Sequence, residues 1–387
     1  MISQPFSLIL FLLTIEISVL YLARHPRTQK YFDFLPSVFW IYFLPMLAST
    51  FGWIDSQAPV YKVITTHILP ASLFLLLMTV DMKAIVKLGK DALLMMAIGS
   101  LGICVGTVVV FAIFKNWIGV DFYSGFGALS ASWTGGSANM IAVKEAVNIP
   151  DHIFAPMVIV DTIVPYVWMG IMVSVVGIQT AFDRWNRSDQ TILKELSQRA
   201  QQISQTNIVW KMEKILVILM LAAGGSWVAQ GLAEFLPVIQ NVISMSAWTI
   251  IVVTTLGILG SFTPIRKLEK SGSNKIGYFL LYFVLTTIGA KASLANMSSA
   301  LLLISAGFCI VLIHAVFLLI GAKLLKAPLF LVATASQANV GGVASAPVVA
   351  EIYQPGLASV GLLLAIGGNI FGTYIGILTV KLCEWVR

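Results

Sequence analysis

The chain has 387 residues, of which 58% are hydrophobic and 11% charged, and its mean hydropathy is +0.91. A soluble domain carries roughly 25% charged residues, so no water-facing surface can be built from this composition. The net charge of +7 resides mainly in Lys and Arg at the ends of apolar runs, where membrane orientation accounts for it and a nucleic-acid partner is not expected.

Twelve apolar runs follow one another, most of them long enough to cross roughly 30 Å of hydrocarbon as helix. They lie near 5–23, 35–54, 63–80, 92–114, 122–143, 153–178, 215–232, 242–265, 276–294, 300–325, 328–350 and 357–380. The first is followed, not preceded, by Arg24, Arg27 and Lys30, the reverse of a secretory leader, and is kept as a span. Cys104, Cys309 and Cys383 stand singly inside apolar runs, which suggests neither a disulfide framework nor a thiolate metal site. Between the sixth and seventh runs lies a polar linker, residues 179–214. Within it Ile192, Leu193, Leu196, Ala200 and Ile203 recur at helical spacing, as in an amphipathic surface helix over Thr191–Ser204.

The halves on either side of the linker, 1–178 and 215–387, resemble each other. Leu77–Ala84 parallels Leu285–Ala292 at an offset of 208. At an offset of 206, Ser130, Gly135, Gly136, Ala138, Val143 and Glu145 fall on Ser336, Gly341, Gly342, Ala344, Val349 and Glu351. A repeat of this kind is the ground plan of many transporters. In the second half Lys211, Lys214, Arg266–Lys275, Lys323, Lys326, Lys381 and Arg387 read as one side, which predicts a cytoplasmic C-terminus. Twelve crossings counted back from a cytoplasmic linker then put Arg24, Arg27, Lys30, Lys83, Lys87 and Lys90 outside, against the same rule. One run therefore does not span, or a crossing is hidden. The expected fold is an all-α transmembrane bundle of ten to thirteen spans, with two inverted repeats that each contain a broken helix.

The breaks fall in the fifth run of each half. There Trp133, Thr134, Gly135, Gly136, Ser137 and Asn139 face a counterpart of Ser336, Gln337, Asn339, Gly341, Gly342 and Ser345. Paired glycines disfavour helix by roughly 1 kcal/mol each, and the Ser, Thr, Asn and Gln side chains compete for backbone hydrogen bonds. Unwound backbone at membrane depth is tolerated only inside protein or along a cavity. Helix packing by small residues would explain the glycines but not the clustered amides. Asp161, between Val160 and Thr162 in the sixth run, is costly in hydrocarbon and reads as a cation or proton site. Its counterpart region carries Asn369 after Gly367 and Gly368. Asp161, Asn139 and Asn339 are the candidate ligands of a sodium ion. Glu16, His67, His314, Lys83 and Lys291 read as structural or snorkelling, and Glu145 and Glu351 as possible gates. Enzyme signatures such as His-Glu-x-x-His or Gly-x-Ser-x-Gly are missing, so no catalytic residue and no cofactor is expected.

Thr134–Asn139, the Gly341–Gly342 region and Leu280–Gly289 together make the chain resemble, over nearly its full length, the YjcL-like family of uncharacterised bacterial and plastid membrane proteins. That family is similar to the superfamily of cation/proton antiporters and anion transporters, which includes bile-acid and glutamate sodium symporters. The resemblance implies crossed broken helices, a dimerising scaffold, elevator-type alternating access and, in a bacterium, residence in the inner membrane. The paired aspartates of proton antiporters are missing around Asp161, which argues against simple sodium/proton exchange. The reading is a Na+- or H+-coupled symporter of a small polar or anionic metabolite. An ion channel or a non-transporting structural membrane protein is the alternative; a carrier shows saturation and counterflow, a channel conductance, and a structural protein neither.

Overall fold

A computed structural model describes residues 1–34, 37–201, 210–238, 245–292 and 300–387. Each of the twelve apolar runs is helical over most of its described residues. The first half holds α1 (Pro5–Arg24), short α2 (Gln29–Phe34), α3 (Ser37–Thr50), α4 (Val60–Met78), short α5 (Met82–Val86), α6 (Lys90–Ile118), α7 (Tyr123–Gly135), α8 (Ser137–Ala146) and α9 (Asp151–Ser174). The linker holds α10 (Gln179–Asn186) and α11 (Gln190–Gln201). The second half holds α12 (Met212–Glu234), α13 (Met245–Ser261), α14 (Ser273–Lys291), α15 (Ala300–Leu325), α16 (Leu329–Val340), α17 (Gly342–Tyr353) and α18 (Ala358–Trp385).

In the linker, Asp189 Oδ1 accepts from the backbone N–H and the hydroxyl of Thr191 at 2.9 and 2.7 Å, which starts α11. Those two bonds hold the Asp189 carboxyl below the usual carboxylate range. Ile192 and Leu196 form the buried stripe of α11. Ile203 and Ser204 of the expected amphipathic helix lie outside the described residues.

The described residues fall into two compact units, each drawn from both halves of the sequence. Unit 1 takes Met1–Val80, Lys144–Thr162 and Asn207–Leu301, and unit 2 takes Asp81–Val143, Ile163–Thr206 and Leu302–Arg387. The boundaries of the units are therefore not those of the sequence halves.

In unit 1, Ile2 pairs with the backbone of Trp53 and Asp55, so α1 begins where α3 ends. A Cβ on Gly277, in the second turn of α14, would stand 3.1 Å from Leu76 in the last turn of α4. The third spans of the two halves thus run antiparallel. Gly257 and Gly260 likewise bring the end of α13 against Leu77 and Met78. At the other end, Trp248 Nε1 donates to Pro237 O at 2.9 Å, joining the start of α13 to the chain leaving α12.

Unit 2 is built on α18. Arg387 meets Asp121 at 2.7 Å and Lys115 Nζ donates to Val386 O at 2.6 Å, which sets the starts of α7 and the end of α6 beside the end of α18. From there α7 descends along a glycine stripe, with Gly127 against Val380, Ala131 against Gly376 and Gly135 against Gly372. Then α8 climbs back, because a Cβ on Gly376 would strike Ala131 of α7 and Val143 of α8 at once. The second pair does the same from the opposite end. Leu329 N, opening α16, donates to Asp183 Oδ1 at 2.8 Å, and Tyr353, closing α17, donates to Met172 O at 2.6 Å. Between them Gln337 Nε2 reaches Pro165 O at 3.4 Å, roughly 10 Å further along α9 at helical rise.

The fifth run of each half is therefore a re-entrant hairpin and not a crossing. Among the described residues seven helices are long and apolar enough to span on length and composition, and counting α13, α14 and the Pro45-containing α3 as spans as well gives ten, five in each half. An odd number per half inverts the second repeat. The earlier charge conflict came from counting the first hairpin as a span. One expectation is corrected outright. Lys381 and Arg387 do not share a side with Lys323 and Lys326, since Lys323 donates to Trp185 O in the linker while Arg387 lies at the far end of α18.

Candidate binding site at the hairpin tips

The two turns are made by glycines whose backbone other residues rarely adopt. Gly136 has φ +83° and ψ 169°, and Gly342 has φ +64°. They stand at the same offset that relates the halves in sequence, which supports the repeat at the level of single dihedral angles.

At the first tip, Asn139 on the first turn of α8 is buried. Its Nδ2 donates to Gly135 O, and its Oδ1 accepts from Thr373 Oγ1 of α18 at 2.5 Å. This clasp satisfies the carbonyl that the end of α7 would otherwise leave orphaned. Asn369 lies one turn before Thr373, with its Oδ1 3.3 Å from where a Gly136 Cβ would stand. A side chain at Gly368 would meet the Thr134 carbonyl and the Met96 methyl, so small residues on α18 are what let the tip come so close.

At the second tip, Gln337 Nε2 donates to Ser345 Oγ at 2.8 Å across the break, folding over Gly341. Asn339 donates to Ala335 O at 3.0 Å and to Met96 O at 3.3 Å, and it accepts from Ser100 Oγ at 2.8 Å. Ser336 is held between Trp168 Nε1 at 2.9 Å and His314 Nε2 at 3.0 Å. Since His314 Nδ1 contacts the Gly99 carbonyl at 2.8 Å, and a carbonyl only accepts, Nδ1 carries the proton and Nε2 accepts from the Ser336 hydroxyl. Met96 links the tips, touching Asn339 through its sulfur at 3.2 Å and reaching the Gly368–Thr134 contact with its methyl group.

Three side-chain atoms here are buried without a hydrogen-bond partner: Trp133 Nε1, Thr334 Oγ1 and Gln337 Oε1. A buried polar atom left unpaired costs about 1–3 kcal/mol, so each of these atoms calls for a partner that the protein itself does not supply. Unit 2 thus gathers Trp133, Thr134, Gly135, Gly136, Ser137, Asn139, Ser336, Gln337, Asn339, Gly341, Gly342, Ser345 and Asn369 onto the two hairpins and α18. Asp161 is not among them: it is half-buried on the part of α9 that belongs to unit 1. The trio Asp161, Asn139 and Asn339 is accordingly not held within one unit.

The sequence reading missed Ser100, Met96, Trp168 and Thr373, and it ranked His314 as structural. Thr373 was legible, since it follows Asn369 by one helical turn. It also missed Lys144, which is 4% exposed, pairs with Glu145 at 3.2 Å and Asp151 at 3.0 Å, and lies over the Phe154 ring. Lys291 meets the same Asp151 at 3.3 Å, so these residues form an ion cluster in unit 1 and the snorkelling role expected of Lys291 gives way to pairing. Glu145 is spent in that cluster. Among the described residues no three His, Cys, Asp or Glu side chains gather in a metal-binding group.

The chain is similar to the uncharacterized membrane protein YjcL of Bacillus subtilis (strain 168), with 25% identity over 348 residues, covering 86% of each chain. Together with the apolar helices this makes it an integral membrane protein. The family described as "Protein of unknown function (DUF819)" matches residues 11–385. Spanning nearly the whole of both repeats and both hairpins, that match establishes that the chain belongs to the DUF819 family.

Proposed function

We propose that this protein is a secondary active transporter for a small polar or anionic metabolite, coupled to Na+ or H+ and working by elevator-type alternating access. The observation that carries this reading is the pair of inverted re-entrant hairpins in unit 2, whose tips meet around Met96 and leave Trp133 Nε1, Thr334 Oγ1 and Gln337 Oε1 unpaired. Irregular backbone at membrane depth is tolerated where it lines a ligand cavity, and half-helices that end there offer N–H groups to anions and carbonyls to cations. The side chains at the tips are amides and hydroxyls, which suit a polar solute and can complete the shell of a sodium ion. Close packing of Gly135 on Gly372 favours a closed carrier over an open pore. Asp161 is assigned to the coupling cation or proton on the strength of its position in the middle of an apolar helix. On this reading the chain works as a homodimer in a bacterial inner membrane.

Thermal unfolding of the detergent-purified protein across a panel of small metabolites, with and without sodium and at two pH values, tests this. A ligand at 100 times its Kd stabilises by about 2.7 kcal/mol. We expect one metabolite class to raise Tm, more so with sodium or at acidic pH, and Asp161→Asn to remove that dependence while the protein stays folded. A shift that is equally sodium- and pH-dependent in the variant would remove Asp161 from the mechanism. No shift with any compound, and no counterflow in proteoliposomes, would remove the transporter reading.

A further inference from the structure

A second site lies in unit 1, in a groove of about 950 Å³ between the end of α1 and the start of α14. The two helices run antiparallel here, so Arg24 and His25 at the end of α1 face Lys275 in the first turn of α14. Further down, the walls are apolar and aromatic, with Tyr21 on one side and Tyr282 on the other, and Trp210 closes the mouth by lying against Gly272. Lys275 to Tyr282 is seven residues, roughly 10 Å of helix, which is the depth of a headgroup, a glycerol and the first methylenes of an acyl chain.

The polar end of the groove is cationic. Arg24 and Lys275 pair with no carboxylate among the described residues, and no Asp or Glu is among the groove's lining residues. His25 adds a further polar group, its Nδ1 accepting from the Arg27 N–H at 3.3 Å. The first turn of α14 adds the positive end of a 19-residue helix. Cations above an aromatic, apolar trough at the end of membrane helices match one occupant in charge, depth and polarity. We propose that this groove binds an anionic phospholipid, with the phosphodiester between Arg24 and Lys275 and one acyl chain between Tyr21 and Tyr282.

The test uses the full-length protein in mixed detergent–lipid micelles, with phosphatidylglycerol and phosphatidylcholine as probes. Native mass spectrometry reads retained lipid, and quenching by bromo-acyl lipid reads contact with Trp210, isolated as the difference between the native protein and Trp210→Phe. Two cations near a headgroup favour the anionic lipid by about 30-fold. We expect that preference in the native protein, its loss in Arg24→Gln/Lys275→Gln and its retention in the charge-conserving Arg24→Lys/Lys275→Arg. Equal retention of both lipids by the native protein, or an unchanged preference in the double glutamine variant, would overturn the proposal. Displacement of phosphatidylglycerol by inorganic phosphate at unchanged ionic strength would also overturn it and make the groove a free-phosphate site. Should the glutamine variant fail to fold, the lipid dependence of Trp210 quenching in the native protein decides alone.

Discussion

At the scale of single residues, the site rests on two glycines whose replacement is expected to cost more than a missing contact. At Gly136, φ +83° with ψ 169° is a region almost reserved for glycine, and a Cβ there would crowd Asn369 at 3.3 Å. Gly136→Ala is expected to destabilise by about 1–3 kcal/mol, read as a fall in Tm in detergent. Gly170, inside α9 with open space around it, is the control, since Gly170→Ala there is expected to be neutral or to gain up to about 1 kcal/mol. Equal responses at the two positions would mean that the break does not depend on backbone conformation. The amides were legible in the sequence because Asn and Gln are unusual in an apolar run. Met96 and Ser100 were not, because a methionine and a serine among apolar residues look like ordinary packing until Asn339 is seen to bind them.

At the scale of elements, the sequence marks where the fifth runs break but not whether the chain then continues or turns back. A run of 22 residues with a central glycine pair has the hydropathy of a span either way. What decides is the partner, namely the glycine stripe of α18 that accepts both arms of the first hairpin and the faces of α9 and α10 that accept the arms of the second. Cysteine accessibility tests this in a background where Cys104, Cys309 and Cys383 are replaced by Ser. Lys326→Cys and Gln354→Cys flank the second hairpin, and both are expected to react with a membrane-impermeant maleimide from the same side. Asp121→Cys and Arg387→Cys, at the other end of α18, are expected to react from the opposite side. Labelling of positions 326 and 354 from opposite sides would make α16 and α17 a true crossing and move the C-terminus to the linker's side.

At the scale of the whole molecule, the charges that conflicted in the twelve-span count agree once the hairpins are removed from it. Within unit 1, Arg24, Arg266, Lys267, Lys270 and Lys275 gather where α1 and α13 end and α14 begins, and Lys291 stands at the other end of α14. Within unit 2, Arg184, Arg187, Lys323 and Lys326 gather around the linker, and Lys115, Lys381 and Arg387 lie where α6 and α18 finish. Each unit, read alone, therefore has one more basic end, and the rule that short basic loops stay in the cytoplasm predicts a cytoplasmic linker. The sequence reading placed the C-terminus there too, because it took Lys381 and Arg387 as two more members of that basic set. Both in fact have acidic partners, Glu384 and Asp121, so they carry little topological weight. The C-terminus is accordingly expected on the face opposite the linker. An alkaline phosphatase fused after Arg387 should be active in a bacterial host and a fluorescent protein at the same point dark, while the pair fused within the α10–α11 segment should behave in the reverse sense. A bright C-terminal fluorescent fusion would require an additional crossing in the second half, and with it a different repeat from the one that Gly136 and Gly342 mark.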